Sequence, residues 1–137
     1  MTMKQSRMVS MSGWACFFML FISVTACAAQ QVYSNNVFLV NTCGVPLELS
    51  LSHDSNYSDE PRRISLSPNQ RSSIANYQSF GEDVVGQISD QFSLSIKSPA
   101  ASKTIDAQTL RKAVASTEKT VKKAVRSWVI ADGSFCP

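Results

Sequence analysis

Residues 46–52 read Pro46-Leu47-Glu48-Leu49-Ser50-Leu51-Ser52, an apolar side chain at every second position behind a proline. Successive side chains of a β-strand point to opposite faces, so this period sets Leu47, Leu49 and Leu51 against Glu48, Ser50 and Ser52. One dry face and one wet face is the habit of antiparallel sheets. Gln91-Phe92-Ser93-Leu94-Ser95-Ile96-Lys97 repeats the alternation and stops at Pro99. Arg63-Ile64-Ser65-Leu66-Ser67 alternates too and ends at Pro68-Asn69, while residues 71–77 form a weaker strand around Ile74. Val37-Phe38-Leu39-Val40 reads as a first strand that runs into Asn41-Thr42 and Gly44, behind a polar lead-in over 29–36. Between these lie turn-rich loops over 53–61 and 78–86. Short strands at about ten-residue spacing predict a small antiparallel β-sandwich or open barrel.

Past Pro99 the period changes. Asp106 suits a helix N-cap, and Ala107, Leu110, Ala113, Val114, Thr117, Val121, Ala124, Val125 and Trp128 share one stripe at helical spacing. Arg111, Lys112, Lys119, Lys122, Lys123 and Arg126 fall on the opposite side. The expectation is a mainly β (α+β) domain with one C-terminal amphipathic helix, whose apolar stripe covers the sheet. The helical pattern is clear to Ser116. Over 117–126 the β-branched residues leave helix and strand equally open. Trp128-Val129-Ile130 reads as a closing strand, and Asp132-Gly133 as a turn that returns Phe135 and Cys136 to the core.

The chain opens with Lys4 and Arg7, then runs without a charge from Trp14 to Val24 and leaves through the small residues Thr25-Ala26-Cys27-Ala28-Ala29. Charged start, short apolar centre and small-residue exit are the parts of a secretory signal peptide over residues 1–28. The apolar run is short of the roughly 20 residues of a membrane span, which disfavours a permanent N-terminal anchor. Ala26-Cys27-Ala28 fits ordinary cleavage before Ala29. Val24-Thr25-Ala26-Cys27 also resembles the bacterial lipobox, which implies lipidation of Cys27, and with Ala28 next an outer-membrane lipoprotein. The mature part, residues 29–137, is long enough for a single domain.

Loss of the leader removes Cys16 and removes or acylates Cys27, leaving Cys43 and Cys136 for one disulfide in an oxidising compartment. No CxxC is present and His53 is the one histidine, so neither a metal site nor a cofactor is expected. The net charge of +3 falls to about +1 without Lys4 and Arg7, and what remains is uneven. Residues 29–102 hold four basic and seven acidic side chains, residues 103–137 seven and three. That is too little for nucleic acid. The basic set at 111–126 instead offers a contact for an envelope protein or an anionic lipid surface.

His53 beside Asp54, with the acidic pairs Asp59-Glu60 and Glu82-Asp83, supplies the raw material of a hydrolase, but no G-x-S-x-G elbow accompanies them. P-loop, GxGxxG, HExxH and EF-hand patterns are missing from the sequence as well. The expectation is an exported bacterial envelope protein: a non-catalytic binding or structural module in the periplasm or at the outer membrane. The rivals are an inhibitor or accessory factor of a secretion or pilus system, and a small hydrolase using His53 and the loop carboxylates.

Overall fold

The computed structural model describes residues 30–81 and 84–137. The signal peptide expected over 1–28, the processing expected around Cys27 and the Glu82-Asp83 pair lie outside the described residues. Eight strands and one helix follow in the order β1 (Tyr33–Val40), β2 (Leu47–Ser52), β3 (Arg62–Leu66), β4 (Arg71–Ser79), β5 (Ser93–Lys97), β6 (Ser102–Asp106), α1 (Ala107–Ser116), β7 (Lys119–Lys122) and β8 (Val125–Ile130). They form two four-stranded sheets: sheet I, in the order β4-β1-β8-β7, and sheet II, in the order β3-β2-β5-β6. The sheets do not close into a barrel, so of the two expected architectures the sandwich is the one found.

The alternating segments behave as their period requires. Leu47, Leu49 and Leu51 are each 1 % exposed, while Glu48 and Ser50 face solvent. Leu94, Ile96, Leu66 and Ile105 complete the inner side of sheet II, and Val37, Leu39, Tyr77, Trp128 and Ile130 meet them from sheet I. Each fully buried Leu or Ile of this kind stabilises the fold by about 1.5–3 kcal/mol relative to an exposed one.

Two expectations need correction, and one open alternative is resolved. The sandwich is not purely antiparallel, because β1 and β8 pair parallel, from Ser34↔Val125 to Leu39↔Ile130. Such a pair joins strands remote in sequence, which local patterning does not record. Second, β1 begins at Tyr33, so half of the supposed lead-in is strand. Residues 117–126, where the sequence leaves helix and strand both open, form an edge hairpin, β7 against β8. Thr117 leaves the helix in an extended conformation (φ −97°, ψ 138°). Its hydroxyl and that of Ser116 both donate to the Ala113 carbonyl, at 2.7 and 3.0 Å, and so occupy an acceptor of the last turn. The β-branched Thr117, Thr120 and Val121 then favour strand.

Helix α1 is capped as its sequence suggests, Asp106 Oδ1 accepting from the Thr109 amide at 2.8 Å. Ala107, Leu110 and Val114 are its buried residues, and it packs on β6, β8 and the short turn Val85–Gln87. Cys43 and Cys136 are joined, with Cα atoms 5.6 Å apart. Each cysteine follows the end of one of the two parallel strands, so the bridge ties loops that leave sheet I on the same side. Beside it, buried Asn41 donates to the carbonyls of Val45 and Leu66 at 2.7 and 2.9 Å and accepts from Cys43 N at 3.0 Å, linking the exit of β1 to sheet II.

Candidate functional site

The outer faces of the two sheets differ in kind. Sheet II shows solvent a surface of Ser50, Ser65, Ser95, Ser102 and Thr104, with Arg63 opposite Ser50 and a Glu48–Lys97 cross-strand pair. Sheet I turns Phe38, Val125 and Val129 outward instead, because they have the opposite parity to Val37, Leu39, Trp128 and Ile130. Val125 is 41 % and Val129 37 % exposed. Together they floor a groove of about 520 Å³, whose other walls include Arg71, Lys122 and Lys123. The Arg71 guanidinium lies 5.0 Å from the centre of the Phe38 ring, a cation–π contact. Three cations border the groove and no carboxylate does.

The basic residues expected to share a helix face are spread by the hairpin. Arg111 donates to the Ile88 carbonyl and to Asp90 Oδ1, each at 2.5 Å, and so serves the fold. Lys112 is exposed on α1, Lys119 and Lys122 lie along β7, and Lys123 occupies the hairpin turn with φ +56°. Arg126 points inward and is 2 % exposed. Its guanidinium stacks 3.5 Å from the centre of the Tyr33 ring and donates to the Gly81 carbonyl. Strand parity explains this: Arg126, Trp128 and Ile130 share a face. Of the six, Lys122 and Lys123 border the groove.

A second, polar depression of about 430 Å³ lies on the same outer face, beneath the 53–62 loop. Asn36, Ser73 and Asn76 form its floor, and Asp54, Tyr57, Glu60 and Arg62 stand among its walls. The loop is fixed along the edge of β4. Asn76 N donates to the Asp54 carbonyl at 2.8 Å, and Asn56 exchanges two hydrogen bonds with the Gln78 backbone at 2.7 and 2.9 Å. Asp54 is 3 % exposed, and its carboxylate accepts from Arg62 Nε at 2.7 Å and also from Nη2. Tyr77 donates its hydroxyl to the His53 carbonyl at 2.8 Å. Burial, seconded by the Asp54 charge, pushes that phenol well above its usual value of 10.0.

His53 adopts φ +52° and directs Nδ1 to Asp59 Oδ1 at 3.6 Å. Asp59 is largely exposed, and Asp54 is committed to Arg62 rather than to His53. Among the described residues, no three His, Cys, Asp or Glu side chains converge.

Sequence reasoning passed over Phe38, Arg71, Val125 and Val129 as functional residues. The signal was there in part. A run such as Val37-Phe38-Leu39-Val40 must send every second side chain away from the core, and Phe38 is the large one so sent. No protein family, curated protein or solved structure matches the chain.

Proposed function

We propose that this is an exported envelope protein whose mature domain is a non-catalytic binding module, and that it takes an acidic protein partner on the outer face of sheet I. The carrying observation is the contrast between the two outer faces. Sheet II fills its solvent-facing positions with serine, threonine and charged side chains of both signs (Glu48, Arg63, Lys97, Asp106), whereas sheet I places Phe38, Val125 and Val129 at the centre of its face, bordered by Arg71, Lys122 and Lys123. Apolar side chains gathered at the middle of a charged rim are the anatomy of a recognition surface. A rim of one sign selects the opposite sign and speeds encounter. The export half of the reading rests on the leader, and the Cys43–Cys136 bridge agrees with an oxidising compartment.

Photo-crosslinking separates this reading from its rivals. A benzophenone side chain at Val129 should trap one protein in near-equal amount in envelope preparations, and the same probe at Ser95 on sheet II should trap none. Lys122→Glu with Lys123→Glu should abolish the adduct, and the unaltered domain should form it with the purified partner alone. Equal trapping from both faces, or flotation with anionic vesicles that accounts for all binding, would remove the acidic-partner reading.

A further inference from the structure

Beyond the groove, we propose that the polar cleft beneath the 53–62 loop is a binding site for a neutral saccharide. Three observations carry this. The cleft is built in advance: the Asn56 exchange with Gln78 and the Asp54 carbonyl bond to Asn76 hold the loop against β4. The loop backbone at Asp54 and Asn56 is therefore already in place when a ligand arrives, which lowers a main cost of weak polar binding. Its volume of about 430 Å³ falls within the range of roughly 300–1,000 Å³ of small-ligand sites.

The second observation is the chemistry of the lining. Asn76 donates its amide to Asn36 Oδ1, which leaves Asn36 its own amide hydrogens and Asn76 its carbonyl oxygen for a ligand. A donor beside an acceptor on a fixed planar frame suits vicinal hydroxyls, each of which both gives and takes a hydrogen bond. Tyr57, 62 % exposed at the wall, adds an aromatic face against which the C–H side of a pyranose ring can lie.

The third is charge. Arg62 and Asp54 cancel one another, and Glu60 remains, so an anion is disfavoured. A divalent cation lacks ligands, since the Asp54 carboxylate already belongs to Arg62. No aliphatic side chain larger than a methylene stem lines the cleft, so it does not seat an apolar residue of a peptide. A neutral polyhydroxyl ligand with one apolar ring face satisfies the whole lining.

The test is an amide chemical-shift titration of the protein as recovered from cells, with maltose, cellobiose and N,N′-diacetylchitobiose to tens of millimolar. At least one disaccharide should shift Ser55, Tyr57 and Asn76 together. Tyr57→Ala, at an exposed position that leaves folding intact, should weaken that binding about two- to tenfold, the range corresponding to one aromatic contact. Lys122→Glu with Lys123→Glu should leave it unchanged, which separates this site from the groove. The proposal is overturned by no shift with all three sugars, by shifts centred on Val125 and Val129, by equal binding to Tyr57→Ala, or by tighter binding of glucuronate than of its neutral counterparts.

Discussion

Replacing Cys43 and Cys136 together by serine gives the sharpest test of how this fold is held. The bridge spans a sequence separation of 93, so in the unfolded chain it closes most of residues 30–137 into a ring. The chain-entropy relation for a loop of that length gives about 4–5 kcal/mol. Set against a domain stability of about 5–15 kcal/mol, this is about a quarter of the total or more. For a domain near this size it corresponds to a fall in Tm on the order of 20 °C. Because the bridge acts on the unfolded ensemble, the effect has a second signature. The double variant should show a steeper urea dependence, since its unfolded chain opens further and exposes more surface. The double substitution is preferable to Cys136→Ser alone, which leaves a thiol at Cys43 free to pair elsewhere. Urea unfolding followed by tryptophan fluorescence suits the measurement, because Trp128 is buried beside the bridge-bearing end of sheet I. A loss under about 1 kcal/mol with an unchanged slope would refute the reasoning. It would mean that the unfolded chain is already as compact without the covalent link as with it.

Other outcomes can be checked on the same protein. Leu94→Ala, at a fully buried position, should cost about 2–5 kcal/mol in urea unfolding, whereas Val129→Ala on the outer face should stay within about 0.5 kcal/mol. Tyr77 keeps its proton in the folded state to higher pH than in the unfolded chain. Its contribution is therefore complete below pH 10.0 and is lost as pH rises through the folded value, and Tyr77→Phe should flatten that alkaline slope. Asp106 is shifted the other way, its carboxylate held low by the hydrogen bonds from Thr109. Its support for α1 is present above the ordinary carboxylate range and fades as pH falls through the lowered value, so Asp106→Asn should blunt the acid end of a helix-melting profile. Intact mass of the mature protein should show an Ala29 start or an acylated Cys27, with two hydrogens missing for the bridge; a full-length thiol form would end the export reading.

The strands β2 and β5 were legible because each has one wet face, and burial on the other side imposes an uninterrupted alternation. β6 was not. Of Ser102-Lys103-Thr104-Ile105-Asp106 only Ile105 is buried, and a single apolar residue sets no period. The hairpin at 117–126 was hidden by a coincidence of spacing. Val121, Val125 and Trp128 sit at helical intervals, yet Trp128 is buried while Val121 and Val125 are exposed. Read with period two, Val125-Arg126-Ser127-Trp128-Val129-Ile130 already sends Arg126 inward with Trp128 and Ile130. The two surface sites were harder still. Each draws on loops and strands remote in sequence, as Asn36 meets Asn76 and Phe38 meets Val129, and such pairings follow from register rather than from local pattern.

The centre of sheet I joins the first strand of the domain to the eighth, with neither interchangeable for a neighbour. A chain emerging from a ribosome therefore carries β1 for most of its length before the partner for its inner edge exists. The sheet can be completed only after translation of the segment holding Trp128 and Ile130. Sheet II differs in this respect, since its four strands are all present once the chain has reached Asp106.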